Sequence, residues 1–208
     1  MTQLVKFEVN KENVAIITLS DPDRLNALSL DMLNQLHERI KEMNDEKTGA
    51  RCLIITGAGR GFCAGANLMD RSGNNTFENF NPGDALEKHY HPMLMDLKNV
   101  NVPLITAVNG PAAGAGCSLA IFGDLVYASK SAYFYQAFKF IGLVPDASST
   151  YVLPRKIGMA RAMELSMIGE KLPAEKALSW GLINDVVNDE DLMSKVMSVA
   201  TELAQGPT

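Results

Sequence analysis

Apolar and polar positions along this chain repeat with two different periods, and each change of period marks a new element. Leu4 to Val9 and Val14 to Leu19 run apolar or alternate over strand-like lengths, and the polar Lys11-Glu-Asn13 between them predicts a hairpin turn. The period then lengthens: Leu33, Leu36, Ile40 and Met43 recur at spacings of three and four, one apolar stripe of a helix, with Ser29 ahead of them as its N-cap. Cys52 to Ile55 and Leu104 to Val108 are short apolar runs ending in glycine-containing turns, as parallel strands covered on both faces do, and Asp124 to Ala128 is a third such run. Helical spacing returns from Leu86 to Leu97. A helix is expected to begin near Ser148, and a short one around Ala177 lies between Pro173 in its first turn and Gly181 as its C-cap. The last helix is expected from about Asp189 to Ala204. Between Arg71 and Asp84 the chain is polar and broken by Gly, Asn and Pro, which predicts a mobile loop.

Strands alternating with helices place the chain in the α/β class, built from right-handed βαβ units. At 208 residues it is one domain, or one plus a small appendage. The boundaries expected are a core over 1–188 and the start of a C-terminal helical region over 189–208.

Composition narrows the function classes. A formal charge of −5 with no basic cluster gives nucleic acid little to hold. No stretch reaches the roughly 18 to 20 apolar residues needed to span a bilayer, and the N-terminus lacks the regions of a signal peptide, so a soluble cytoplasmic protein is expected. Cys52, Cys63 and Cys117 are an odd number without metal-ligand spacing, which suits free thiols. His89 and His91 stand too close in a helix to face one ligand, so no metal is expected there.

Two turns of small residues carry the chemistry: Gly61-Phe-Cys-Ala-Gly-Ala-Asn-Leu68 and Asn109-Gly-Pro-Ala-Ala-Gly-Ala-Gly-Cys117, each following a buried-strand pattern. Gly and Ala leave backbone N–H groups accessible, so two such turns can aim donors at one atom, which is how an oxyanion is held. Gly142-Leu-Val-Pro-Asp146 follows them. With Ser20-Asp-Pro-Asp-Arg-Leu-Asn-Ala-Leu-Ser29, Phe134-Tyr-Gln136, Leu153-Pro-Arg155 and Ala177-Leu-Ser-Trp-Gly-Leu-Ile183, these segments resemble, in order and over essentially the whole chain, the crotonase family of enoyl-CoA hydratases and isomerases.

The resemblance implies a spiral of repeated ββα units with a helical C-terminal part, here shortened by about fifty residues relative to usual family chains. It implies an acyl-CoA thioester as substrate, coenzyme A being part of the substrate and no separate cofactor, and a homotrimer or hexamer as the assembly. By resemblance the backbone amides of Ala66 and Ala115 form the oxyanion hole. Arg24, Leu25 and Ala27, with Ala64, Ala66, Asn67 and Leu68, lie where relatives hold coenzyme A, Arg24 near the phosphates. The 71–84 loop falls beside the acyl pocket. The hydratases carry two glutamates, and this chain has Ser118 and Phe138 at those positions. Asp146 stands where several family isomerases have a carboxylate, and burial against apolar neighbours is expected to raise its pKa. One carboxylate suffices to move a proton from C2 to C4 of a 3-enoyl thioester. A ring-type 1,2-epoxyphenylacetyl-CoA isomerase, a hydratase with another base, and a non-catalytic acyl-CoA binder are the alternatives, and an N-capping role is the alternative for Asp146 itself.

Overall fold

Alternation at the N-terminus closes the expected hairpin: β1 (Val5–Val9) pairs antiparallel with β2 (Val14–Leu19), and Asn10 Oδ1 accepts from the N–H groups of Glu12 and Val14 to hold the turn. The computed structural model describes residues 2–67 and 82–207. From β2 onward every neighbour is parallel, through β3 (Cys52–Gly57), β4 (Leu104–Val108), β6 (Leu125–Ser129) and β9 (Asp185–Val187), in the order β1-β2-β3-β4-β6-β9.

Successive side chains of a strand point to opposite faces, and the inner strands are apolar on both. Ala15, Ile17, Leu53, Ile55 and Leu104 enter one core, while Val14, Ile16, Cys52, Ile54, Ile105 and Ala107 enter another. The first is covered by α1 (Leu30–Met43), whose Leu33, Leu36, Ile40 and Met43 are buried as the stripe predicts, and by α3 (His91–Lys98). Ser29 Oγ caps α1 by accepting from Met32 N–H at 3.0 Å. The second core is covered by α7 (Leu192–Gln205), which buries Leu192, Val196, Ala200 and Ala204 at a strict spacing of four. Each buried Leu, Ile, Val or Met side chain of these cores contributes about 1.5–3 kcal/mol, and each alanine methyl less. Arg51 then closes α7, donating to the carbonyls of Ala204 and Gly206 at 2.6 Å each and setting a cation at the negative end of the helix.

A second, three-stranded sheet joins β5 (Ala112–Ala113), β7 (Tyr133–Tyr135) and β8 (Leu172–Pro173) in that order. The helix expected from Leu86 starts earlier, as α2 (Pro82–Ala85), and passes through a π-helical turn at Leu86–Tyr90 into α3. The expected loop over 71–84 thus ends sooner, and its part before 82 lies outside the described residues. α4 (Ala115–Ala120) opens directly on the second small-residue turn. α5 (Ser149–Ile168) starts where expected but is broken at Gly158, whose φ of 75° and ψ of 163° leave the helical region. Pro173 stands just before α6 (Ala174–Ser179) as its N-cap rather than inside the first turn. Gly181, at φ 75°, ends α6: its N–H donates to Leu178 O and that of Leu182 to Ala177 O, both at 2.9 Å, a Schellman closure. No helix among the described residues is long and apolar enough to cross a membrane.

Candidate active site

The two small-residue turns are zipped together along their main chains. Phe62 and Cys63 donate to Pro111 O at 3.0 and 3.1 Å, Ala113 donates back to Cys63 O at 2.9 Å, and Cys63 bridges Ala112 in parallel. The glycines make this approach possible. Gly65 has φ 89°, and a Cβ there would stand 2.5 Å from Ala113 O and 3.4 Å from the nitrogen of Ala115. A Cβ on Gly116 would collide with the carbonyl of Cys63.

Two amides are left over by this arrangement. Leu28 bridges Ala66 in parallel by donating to Gly65 O at 2.7 Å and accepting from Asn67 N–H at 3.1 Å, so the N–H of Ala66 itself points away from Leu28. Ala115 is the first residue of α4, where a helix has N–H groups without intrahelical acceptors. Among the described residues neither N–H donates to a backbone carbonyl. Ala66 is half-buried and Ala115 buried, their segments held in contact through Gly65.

The Asp146 segment reaches α4 through Ser118. The chain passes from a 3-10 turn at Ala137–Ile141, through Gly142 at φ 69°, to a half-buried Asp146 whose Oδ1 is buried. Its carbonyl accepts from Ser118 Oγ and from the N–H of Ser149, each at 3.0 Å. Ser118 is one helical turn after Ala115, so the Asp146 segment is moored to the first turns of α4. Ala147 and Ser148 follow at φ 48° and 72°, two adjacent left-handed non-glycine residues costing on the order of 1–2 kcal/mol each. The N-cap of α5 is Ser148, not Asp146.

Over residues 9–208 the sequence matches the family described as Enoyl-CoA hydratase/isomerase. The chain belongs to the enoyl-CoA hydratase/isomerase family. It is 44% identical over all of its 208 residues to a protein of Escherichia coli (strain K12) named 1,2-epoxyphenylacetyl-CoA isomerase, spanning 79% of that protein. It is 32% identical to a 4-chlorobenzoyl coenzyme A dehalogenase-2 of an Arthrobacter species, with 95% of this chain and 71% of the relative covered. The solved enoyl-CoA hydratase of Bacillus anthracis superposes with a TM-score of 0.90 at 30% identity, over 98% of this chain and 78% of that one. These matches show the crotonase fold and a family of isomerase and hydratase enzymes, as the motifs imply.

The remaining family positions divide into two groups. Leu25 (φ 51°) accepts from Ala64 N–H at 2.9 Å, Ala27 donates to Arg24 O at 3.1 Å, and Asn67 adjoins Leu28, so Leu25, Ala27, Ala64, Ala66 and Asn67 form one continuous rim. Arg24 stands at its edge with its side chain 67% exposed and Nη1 3.3 Å from Asp21 Oδ2. Leu68 lies outside the described residues.

Asn26 is the residue the sequence reading overlooks in this family site. It is fully buried at φ 56°, its Nδ2 faces the carbonyls of Ala58, Gly61 and Phe62 at 3.0, 2.8 and 3.2 Å, and its Oδ1 accepts from Asp21 N–H. Asn109 does the same from the other turn, donating to Gly59 O at 2.9 Å and accepting from Gly57 N–H at 3.2 Å. An Asn beside glycine-rich turns was the available signal.

Burial pushes the thiols of Cys63 and Cys117 up to about 12 and that of Cys52 to about 11, so all three stay protonated and fill core space. No group of three His, Cys, Asp or Glu side chains fit to hold a metal occurs among the described residues, and His89 Nδ1 instead meets Asn34 Oδ1 at 3.1 Å. Asp124 anchors a strand, accepting from Leu104 N–H at 2.9 Å. A cavity of about 470 Å³ lies between α3 and the start of α5, walled by Leu94, Leu97, Phe122 and Val152 with Ser148 on its edge. Phe122 follows the far end of α4, so this cavity lies beyond the two amides rather than over them.

Proposed function

We propose that this chain is an acyl-CoA isomerase that moves a double bond from C3 to C2 of a 3-enoyl thioester with one carboxylate, Asp146. The observation that carries the reading is the moorage of the Asp146 segment to α4, one turn from Ala115, while the two hydratase glutamate positions hold the buried Ser118 and Phe138. Neither of those side chains can activate water, which argues against the paired-glutamate hydratase route and leaves one carboxylate to act as base.

The electron count closes with one base. The Asp146 carboxylate takes a proton from C2, the C–H pair forms the C1–C2 double bond, and charge moves to the thioester oxygen. The N–H groups of Ala66 and Ala115 stabilise that oxygen, each donor of this kind contributing on the order of 100 to 1000 in rate. The carboxylic acid then returns the proton to C4, the carbonyl re-forms, and the double bond rests between C2 and C3. Coenzyme A lies along the rim of Leu25, Ala27, Ala64, Ala66 and Asn67 as part of the substrate, with Arg24 near its phosphates. The cavity beside Ser148 takes the distal part of the acyl group, since it begins about one length of α4 from the hole.

A second reading is a ring-type 1,2-epoxyphenylacetyl-CoA isomerase, favoured by the 44% identity to the Escherichia coli enzyme of that name. For assembly, Phe140, Ile141, Val144, Met159, Met163 and Met167 are exposed on one continuous part of the chain and suit the subunit contacts of a homotrimer or hexamer. Incubation with 3-hexenoyl-CoA is the test: 2-hexenoyl-CoA is expected from the intact chain and not from Asp146→Asn, and in deuterated water its C4 should carry little deuterium, because Asp146 returns the proton it took. Turnover of the ring epoxide alone replaces the first reading by the second, and equal activity in Asp146→Asn removes both.

A further inference from the structure

Beneath the Asp146 loop lies a chain of polar side chains in an otherwise apolar interior. Gln136, Ser149 and Ser118 are each fully buried. Gln136 Nε2 lies 3.2 Å from Ser149 Oγ and 3.3 Å from Cys117 Sγ, the two serine hydroxyls are in short contact, and Ser118 Oγ lies 3.0 Å from Asp146 O. Donor counting gives the chain a direction. An amide nitrogen only donates, so Ser149 Oγ accepts from Gln136 and spends its single hydrogen on Ser118 Oγ; Ser118 then has one hydrogen left, and Asp146 O is nearer than its helical alternative, Gly114 O at 3.3 Å. The carbonyl of Asp146 receives a second bond from Ser149 N–H at 3.0 Å, which fills both of its lone pairs.

We propose that Gln136, Ser149 and Ser118 are positioning residues: a directed hydrogen-bond chain that clamps the main chain of Asp146 and so fixes where its carboxylate stands. The proposal rests on Asp146 being the base. Ser118 occupies the place of the first hydratase glutamate, so that position has exchanged a group that acts on substrate for one that holds the loop. Two features call for such a clamp. Ala147 and Ser148, lying between the two bonds to the carbonyl and the start of α5, are held in left-handed geometry that relaxes unless the surroundings fix it. Gln136 Oε1 is buried with no hydrogen-bond partner among the described residues, a desolvation cost the fold tolerates to keep Nε2 aimed at Ser149. A displacement of about 1 Å in a reacting group costs up to about a hundredfold in rate, so the clamp acts on turnover rather than on binding.

The experiment measures kcat and KM on 3-hexenoyl-CoA for Ser149→Ala, Ser118→Ala, their double variant and Asp146→Asn, with hydrogen exchange of segment 142–149 followed by mass spectrometry. Each serine variant is expected to lower kcat about ten- to a hundredfold with KM within about twofold. The double variant falls no further than the worse single one, because the chain is already broken. Exchange should quicken in 142–149 and nowhere else. Unchanged kcat in both serine variants, losses that multiply, a rise confined to KM, or exchange in 142–149 like that of the intact protein overturns the clamp. Loss of turnover in Asp146→Asn alongside full kcat in the serine variants removes the clamp and keeps the base; full turnover in Asp146→Asn removes the base. Should one serine variant fail to fold, the other, which also lacks a single oxygen, gives the same readings.

Discussion

The turns over 61–66 and 110–116 are fixed by main-chain contacts and by Gly65 and Gly116, where a Cβ would strike backbone, whereas the carbonyl of Asp146 is held by Ser118 and Ser149 and is followed by two left-handed residues. On the first side, Gly65 and Gly116 bring backbones to contact, and Asn26 and Asn109 hold the carbonyls of Gly61 and Phe62. On the second, Ser118 and Ser149 hold one carbonyl. The difference teaches how one scaffold serves several reactions. Under the proposed function, the amides that would hold a thioester oxygen are set by backbone geometry, while the proposed base sits on a segment whose main chain is held by side-chain hydroxyls. The relatives fit this division, since proteins named as isomerase, hydratase and dehalogenase share the fold.

Asp146→Asn makes the sharpest cut between the two sides. It should lower kcat by about 10² to 10⁴, the range of a lost general base, and leave acyl-CoA affinity within a few-fold, as measured by steady-state kinetics and calorimetry. Gly65→Ala strikes the rigid side instead. A positive φ and a Cβ 2.5 Å from Ala113 O should cost about 3 kcal/mol or more of stability, seen in urea unfolding, and should weaken acyl-CoA binding as well as turnover. Equal effects of these two substitutions on affinity would erase the contrast. Asn26→Ala should destabilise by about 2–3 kcal/mol, because the carbonyl of Phe62 loses its side-chain donor and that of Gly61 keeps only Asn109.

A pH experiment probes the buried thiols around the turns. Cys63 and Cys117 titrate near 9 when unfolded and at about 12 when folded, so below pH 9 both states keep the proton and stability is complete. As pH rises from 9 toward 12 the unfolded chain ionises first and stability falls. Denaturant midpoints at pH 8 and pH 10.5 should therefore differ less in Cys117→Ala than in the intact protein. The smallest effect is expected at the rim. Arg24→Ala should raise KM about two- to fivefold, and less at high salt, since an exposed ion contributes little and is screened.

Much of this architecture was legible because burial and period coincide. The hairpin, the α1 stripe with its Ser29 cap, the inner parallel strands and the spacing of four in α7 follow from apolar positions that local geometry sorts onto one face. The small sheet was not, because β5 and β8 are two residues long and exist only through their partners. Nor were the π-helical turn before α3 or the break at Gly158, where tertiary contacts override a helical pattern. In the proposed site, Ala66, Ala115 and Asp146 are positions the family resemblance names, whereas Asn26, Ser149 and Gln136 act through bonds reaching up to 36 residues along the sequence, which no local pattern records.

A crystal structure with a non-reacting acyl-CoA analogue tests the central claim most directly. The account predicts the thioester oxygen about 2.7–3.1 Å from the nitrogens of both Ala66 and Ala115, with an Asp146 carboxylate oxygen about 3–3.5 Å from C2. A thioester oxygen bound by neither amide, or an Asp146 carboxylate turned to solvent away from C2, contradicts it.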